Sequence, residues 1–359
     1  MFQTRVSRGN AASWVLVVLS VWAAVAGCSS PQESGGQGAG ASTDAGSAAG
    51  QADAGTPVVL PCATPEDADA AADLEWTAEH NTLEPREGMS FEAWTYNGTV
   101  PGPVLRLAVG ETRRIKLRNR MDRPVSAHFH GMEYPLDDDG TAEFPRGVVN
   151  PGCAHVYTVT ARTPGVWPFH PHLDTGEELA HGFYGAIVVP DPEEPPADRE
   201  FVLFMGQLGV EGGEVEEGHG SGSGSGSGAP GSFVMTFNGR ADGRLAVIEL
   251  RPEGYRRTND LHASATVGNL VRWRLLNVSP DDWHTFGVHG HSFCDRGGVP
   301  DETGECPNGG IIDNIVDLSP LHGRTIEWHE SRAGEWMYHC HLIDHVGEGM
   351  FATYVVAPQ

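Results

Sequence analysis

Tyr338-His339-Cys340-His341-Leu342-Ile343-Asp344-His345-Val346-Gly347-Glu348-Gly349-Met350 is the stretch that decides the fold and the chemistry of this chain. Cys340 offers a thiolate, His345 an imidazole and Met350 a thioether, which are three of the four ligands of a blue-copper site. The remaining ligand is a second histidine, and His284 in Trp283-His284-Thr285-Phe286 supplies it. The sequence therefore predicts a type 1 copper site made of His284, Cys340, His345 and Met350.

The residues on either side of Cys340 are histidines. Side chains alternate between the two faces of a β-strand, so if Cys340 points into its own domain, His339 and His341 point to the other side. One strand then serves two metal sites, and electrons pass between them through a short stretch of backbone.

The rest of the chain favours short strands. Alternating segments such as Arg114-Ile115-Lys116-Leu117-Arg118 and Val271-Arg272-Trp273-Arg274-Leu275 recur between Gly and Pro turns, and no long amphipathic helix pattern appears. We expect an all-β chain of two β-sandwich domains, residues 66–192 and 193–359, divided at an acidic and proline-rich stretch. A Gly/Ser run gives the second domain a flexible loop, residues 218–232.

The first 28 residues look like an export signal. Arg5 and Arg8 precede an apolar run that closes on Val25-Ala26-Gly27-Cys28, which resembles a bacterial lipobox. Ordinary signal cleavage is the alternative. Residues 29–65 read as a disordered Gly/Ala/Ser spacer. We expect a periplasmic or cell-surface lipoprotein that contacts the membrane only through a lipid on Cys28.

Charge and cysteine content narrow the partners and the compartment. The formal net charge of −25 argues against nucleic-acid binding and favours cationic partners. Cys62, Cys153, Cys294 and Cys306 form an even set suited to an oxidising compartment. Three pairings are possible, and we predict Cys294–Cys306, which bracket one loop, and Cys62–Cys153.

Three further segments each place two imidazoles on one face of a strand. They are His128-Phe129-His130, His170-Pro171-His172 and His289-Gly290-His291. Pro171 stands where Cys340 stands in the later motif, so the first domain should carry no blue copper. Imidazole pairs without carboxylates suit copper. Zinc is the competing metal, but the Cys340, His345, Met350 arrangement is typical of copper rather than zinc sites.

These four clusters, in this order, resemble those of the multicopper oxidases, and the two-domain size is similar to that of the bacterial small laccases. The resemblance covers the chain from about residue 70, and Asn97-Gly98-Thr99-Val100-Pro101-Gly102-Pro103 is similar to the first-domain signature. It implies two cupredoxin-like Greek-key domains. It also implies a coupled type 3 copper pair held by His130, His170, His172, His289, His339 and His341, and a type 2 copper ligand at His128.

One position departs from the family pattern. The third motif of the family reads His-x-x-His-x-His-Gly-His, and here Gly287 stands where the second type 2 ligand belongs. His291 shares the strand parity of Gly287 but lies about 13 Å further along a strand. The type 2 copper is then weakly held, held by a replacement ligand, or absent.

The resemblance assigns roles to three more residues. Tyr134 matches a tyrosine that can donate an electron, while Asp139 and Asp313 match carboxylates that assist proton delivery. The simpler alternatives are a packed tyrosine and two solvated loop acids. His155, His181, His219, His322 and His329 match no motif and are expected to be ordinary polar residues.

The function that the resemblance implies is oxidation of a phenol, an amine or a metal ion, one electron at a time, coupled to reduction of dioxygen to water by a laccase- or ferroxidase-type enzyme. Relatives with two domains form homotrimers whose copper clusters lie between subunits. Two alternatives stay open. A copper nitrite reductase would carry its blue-copper cysteine in the first domain, and Gly287 leaves room for a non-catalytic copper carrier or electron-transfer protein.

Overall fold

The computed structural model describes residues 61–210, 232–243, 246–252, 254–258, 262–298, 301 and 305–359. The predicted signal peptide at 1–28, most of the predicted spacer at 29–65 and His219 lie outside the described residues. So does the predicted loop at 218–232, apart from Ser232.

Two sheets build the first half of the fold, in the strand orders β2-β1-β4-β7-β6 and β3-β9-β8-β5. Their elements are β1 (Leu74–Leu83), β2 (Phe91–Tyr96), β3 (Val104–Arg106), β4 (Thr112–Asn119), β5 (His128–Phe129), β6 (Met132–Glu133), β7 (Ala154–Ala161), β8 (Gly165–His170), α1 (Thr175–Ala180) and β9 (Gly185–Val189). Short 3-10 turns at Pro65–Ala68, Leu136–Asp138 and Pro145–Gly147 connect them.

The second half also consists of two sheets, in the orders β13-β12-β10-β15-β20-β17-β18, with β11 paired to β10, and β14-β22-β21-β16-β19. Its elements are β10 (Arg199–Val210), β11 (Ser232–Phe237), β12 (Val247–Arg251), β13 (Gly254–Thr258), β14 (Ala263–Thr266), β15 (Leu270–Asn277), β16 (His284–Val288), β17 (Phe293–Cys294), β18 (Ile312–Asp313), β19 (Ile315–Leu318), β20 (Gly323–His329), β21 (Gly334–Cys340), α2 (Ile343–Gly347) and β22 (Phe351–Ala357). A short 3-10 turn lies at Pro307–Gly309.

The sheets confirm the predicted all-β class. Among the described residues no strand pairing joins the two halves. The connection between β9 and β10 contains the predicted division after residue 192. Each half has its own apolar core, and a third buried cluster, which includes Phe91, Tyr184, Phe204 and Leu276, packs the halves against each other. Burial of this apolar surface stabilises the arrangement of the two halves.

Apolar and charged side chains alternate along strand β15, and both faces of the strand are buried. Trp273 and Leu275 enter the core of the second half, while Arg272 and Arg274 are buried on the other face. Buried guanidinium groups require ionic partners. Those partners are the carboxylates of Glu194, Glu200 and Glu327.

Two disulfides, Cys62–Cys153 and Cys294–Cys306, confirm the predicted pairing. Cys340 is the free cysteine of the described part of the chain, and it is buried. None of the helices within the described residues has the length and apolar character needed to cross a membrane.

Candidate metal centres

A thiol and two imidazoles meet inside the second half. His284 begins β16, Cys340 ends β21 and His345 lies in α2. The Cys340 sulfur lies 3.8 Å from Nδ1 of His284 and 3.5 Å from Nδ1 of His345, and the two nitrogens are 3.1 Å apart. All three residues are buried. Because nitrogen and sulfur bind comparable metals at about 2.0 and 2.3 Å, trigonal ligands stand about 3.5 to 3.7 Å apart, and this set fits a trigonal His₂Cys copper site.

Neighbouring groups determine the orientation and the protonation state of these three side chains. Nε2 of His284 lies 2.8 Å from the Ser279 hydroxyl, which leaves Nδ1 directed at the thiol. Burial lowers the pKa of His284 to about 3 and lowers that of His345, so both imidazoles are neutral. Burial also raises the pKa of the Cys340 thiol, although the Thr285 N–H donates to the sulfur at 3.4 Å. A bound cation is therefore what would favour the thiolate.

Met350, the fourth predicted type 1 ligand, lies in the same core. It is fully buried in the cluster that contains Cys340, and its carbonyl accepts the Cys340 N–H at 3.2 Å. Its own N–H donates to the His345 carbonyl at 2.9 Å. These backbone bonds tie the loop that carries His345 and Met350 to the end of β21.

Three imidazoles gather on the opposite side of Cys340. Nε2 of His289 lies 2.9 Å from Nε2 of His339, and the rings of His339 and His341 are stacked with centroids 4.1 Å apart. Nδ1 of His339 donates to the Cys340 carbonyl at 2.6 Å, which leaves Nε2 as the free ligand atom. Nδ1 of His341 is buried without a hydrogen-bond partner among the described residues, as expected of a ligand atom. His289 and His341 line a cavity of about 630 Å³ that Asp313 also borders.

Four imidazoles gather in the first half. β5 pairs with β8 so that His128 stands opposite His170, and Nε2 of His130 lies 3.0 Å from Nε2 of His170. The His128 ring centroid is 5.1 Å from that of His172. Burial lowers the pKa of His130 to about 4 and that of His170 to about 3, so both rings are neutral. Nδ1 of His128 donates to the Asp139 carbonyl, which directs Nε2 into the group.

Two of the predicted catalytic residues lie directly beside His128. The Tyr134 hydroxyl donates to Oδ1 of Asp139 at 3.1 Å, and that oxygen lies 3.8 Å from Nδ1 of His128. The Thr141 hydroxyl donates to the other carboxylate oxygen at 2.6 Å. Burial and the Asp139 carboxylate raise the pKa of Tyr134 to about 12. Asp313 accepts the Asn314 and Ile315 N–H groups beside the second-half cavity.

The four-histidine group and the three-histidine group remain separate within one chain. Across the described residues, no hydrogen bond or ring contact links a member of one group to a member of the other. The chain therefore presents two partial ligand sets rather than one closed cluster.

Histidines outside the motifs have polar or packing roles. His155 is buried between the carboxylates of Asp67 and Asp138, and His181 stacks on Trp94 with ring centroids 4.1 Å apart. His291 belongs to the third motif, but the prediction that it shares a strand face with His289 is wrong, because β16 ends at Val288. Its Nε2 faces the Glu330 carboxylate at 3.2 Å, whereas His289 meets His339. No motif in the sequence indicates Ser279, Glu330 or the pair Asp138–His155, because their contacts depend on the fold and follow no local spacing rule.

Comparison with known proteins gives the same picture for both halves. Residues 77–194 and residues 230–359 each match a family model described as multicopper oxidase, and together they span more than half of the chain. A solved structure titled as a multicopper oxidase has a TM-score of 0.63 and 25% identity, covering 79% of this chain and 89% of that one. These likenesses confirm the predicted cupredoxin-like fold.

Curated relatives are much longer than this chain. A probable nitrite reductase-hydroxylamine oxidoreductase fusion protein from Kuenenia stuttgartiensis is 32% identical over 304 residues, which cover 80% of this chain and 32% of that protein. Copper resistance protein A from Escherichia coli is 26% identical over 215 residues, covering 59% and 32%. The chain thus spans about a third of the length of either relative.

Proposed function

Because the chain belongs to the multicopper oxidases, we propose that it takes electrons one at a time from a reducing donor and passes them to dioxygen, which is reduced to water. The observation that carries this proposal is the arrangement around β21, where Cys340 faces one ligand set and its neighbours His339 and His341 face another. Copper is the cofactor of this family.

We assign the ligands as follows. The type 1 site consists of His284, Cys340, His345 and Met350, and the type 3 ligands are His130, His170, His172, His289, His339 and His341. His128 is the remaining type 2 ligand candidate. Copper, when bound, supplies one-electron redox chemistry at the thiolate and oxygen chemistry at the histidines.

Electron entry is proposed at His345. Its side chain retains slight exposure while His284 has none, and both are neutral imidazoles. The surface around it mixes exposed apolar side chains, Trp283 and Ile343, with the carboxyl groups of Asp282 and Glu348, whose pKa values are raised by burial and by neighbouring carboxylates. A phenol, an amine or a metal ion could bind there, and the net charge of −25 favours ferrous or cuprous ions.

The protons for oxygen reduction are assigned to Asp139 and Asp313. Asp139 contacts Tyr134 and His128, which supports a route from solvent to the four-histidine group, and we assign electron donation to Tyr134. Asp313 borders the cavity next to His289 and His341. A positioned acid of this kind typically accelerates proton transfer about 10² to 10⁴-fold.

The active form is proposed to be a homotrimer in which the four-histidine group of one subunit meets the three-histidine group of the next. The separation of these groups within one chain supports this arrangement. In a cyclic head-to-tail ring, every subunit forms the same two interfaces, so each histidine group meets its complement. We further propose a periplasmic or cell-surface lipoprotein anchored at Cys28, and the two disulfides support an oxidising compartment.

Oxygen uptake by copper-loaded protein tests the proposal. Ferrous ion, cuprous ion and a phenol are supplied in turn, and uptake with at least one donor is expected. Cys340→Ser should remove the blue absorption and the uptake, whereas His329→Gln, at an exposed histidine outside the ligand sets, should leave both unchanged. Blue protein that consumes neither oxygen nor nitrite with any donor would identify a copper carrier.

Nitrite is the second acceptor to measure, because the Kuenenia relative carries nitrite reductase in its name. Nitrite consumption by the reduced protein without oxygen, combined with negligible oxygen uptake, would replace the oxidase proposal with a nitrite reductase.

A further inference from the structure

Gly287 occupies a position in the sheet where no side chain fits. It lies in β16 between β21 and β19, opposite His339 on one side and Ile315 on the other. A Cβ atom at this position would come within 2.5 Å of Cε1 of His341 and within 2.8 Å of the Asn314 carbonyl oxygen. Both separations are well inside normal contact distance. The space that a histidine side chain would need at position 287 is therefore already occupied by His341 and the Asn314 carbonyl.

The two groups that fill this space are both held in place. The His341 N–H donates to the Thr285 carbonyl at 2.7 Å and lies 3.0 Å from the Thr285 hydroxyl, while its ring stacks on His339. On the other side, the Asp313 carboxylate accepts the N–H groups that flank the Asn314 carbonyl. Rotating the His341 ring away would relieve only one of the two contacts, because the other is with backbone.

The neighbouring histidine cannot replace the missing ligand. Nε2 of His291 faces both oxygens of the Glu330 carboxylate at 3.2 Å, and Nδ1 donates to the His289 carbonyl at 2.8 Å. Both ring nitrogens of His291 are thus already engaged in hydrogen bonds. The three-histidine group of the second half consists of His289, His339 and His341, all of them assigned to the type 3 pair. His128 is then left as the single type 2 ligand candidate.

We infer that this chain holds the type 1 copper and the type 3 pair but no type 2 copper, because His341 occupies the space of the second type 2 ligand. The inference rests on the proposed function for its ligand assignments. Gly287 is then a positioning residue, since its lack of a side chain lets the His341 ring lie beside His339.

Copper content and electron paramagnetic resonance of the wild-type, copper-loaded oligomer give the first test. We expect one copper fewer per subunit than the full family set, with a type 1 signal, a silent coupled pair and no type 2 signal. A type 2 signal that integrates to about one spin per subunit would overturn the inference.

Variants at the same position give the second test. Gly287→His should add no type 2 signal and should lose copper from the pair while the type 1 absorption is retained. Gly287→Ala is the matched control, since it adds only the Cβ, and it should lose pair copper in the same way. A Gly287→His protein that gains one copper with a type 2 signal, at an unchanged melting temperature, would contradict the inference. If neither variant folds, the wild-type measurement decides.

These outcomes separate the inference from the proposed function. Wild-type protein that takes up oxygen and shows a type 2 signal overturns the inference alone. Protein with an intact type 1 site and pair, no type 2 signal and no oxygen uptake overturns the proposed oxidase function alone.

Discussion

Ser279 determines which nitrogen of His284 faces the thiol. Its hydroxyl lies 2.8 Å from Nε2 of His284, and both residues are fully buried. The hydrogen bond fixes both the tautomer and the ring orientation of the ligand, a role in which outer groups typically contribute 10 to 100-fold to metal affinity.

We therefore expect Ser279→Ala to weaken type 1 copper binding by about 10-fold or more. Titration with a chelator, followed at the blue absorption, measures the change. Ser319→Ala is the matched control, because the Ser319 hydroxyl meets His322 rather than a copper ligand. Equal copper affinity in wild type and Ser279→Ala would show that packing alone orients His284.

Glu330, directly after β20, is a second residue whose contacts join distant parts of the chain. Burial acts to raise its pKa, but hydrogen bonds from His291, the Arg332 N–H, Trp328 and Tyr354 bring the pKa down to about 2. Because the folded pKa lies below the ordinary value of 4.5, the carboxylate stabilises the fold above about pH 4.5, and this contribution is lost as the pH falls towards 2.

Glu330→Gln should lower the free energy of unfolding by about 2 kcal/mol at pH 7, since hydrogen bonds to a buried charge are lost. The difference from wild type should shrink below about pH 4.5. Chemical unfolding between pH 7 and pH 3 measures both effects. Glu335→Gln, at an exposed position of β21, is the control, and a pH-independent difference at Glu330 would contradict the electrostatic explanation.

At the scale of elements, a loop of the first half holds the short helix that carries His345. Arg86 lies between β1 and β2, and its guanidinium donates to the Glu348 carbonyl at 2.5 Å and to the Ala241 carbonyl at 3.3 Å. Glu348 is the C-cap of α2, and a cation at this end of a helix also interacts favourably with the helix dipole. Met350 follows two residues later.

Arg86→Gln should therefore loosen the His345–Met350 loop, weaken type 1 copper binding about 10-fold and shift the blue absorption, while Arg86→Lys should recover part of the loss because the charge is retained. Absorption, paramagnetic resonance and copper release rates provide the measurements. Arg240→Gln breaks a comparable contact, to the Glu84 carbonyl, without touching α2, and should leave the blue site unchanged. An unchanged site in Arg86→Gln would contradict the positioning role.

The elements also explain how far the sequence could predict the site. The ligand histidines follow local rules, since residues on one strand face or in one loop are spaced regularly, and the strand class follows from alternation and turn residues. Arg86 and Glu348 are far apart in the chain, so no spacing rule connects them. The crowding at Gly287 involves Asn314 and His341, and it depends on the register of three strands.

At the scale of the whole molecule, each subunit carries one half of two different clusters if the proposed ring is correct. The four-histidine group of one copy then meets the three-histidine group of the next, and a defect in one half affects only the interface to which it belongs. This separation makes the assembly testable by mixing two defective chains.

His170→Gln disables the four-histidine half and His339→Gln disables the three-histidine half, so each variant alone should lack pair copper and oxygen uptake. Co-expressed in equal amounts, they should recover about a quarter of wild-type uptake, because about one interface in four joins two intact halves when a ring assembles at random. His130→Gln with His170→Gln is the control pair, since both changes lie in the same half and no interface can be restored. If the clusters formed within single chains, the complementary pair would recover no more than this control, and the ring would have to be abandoned.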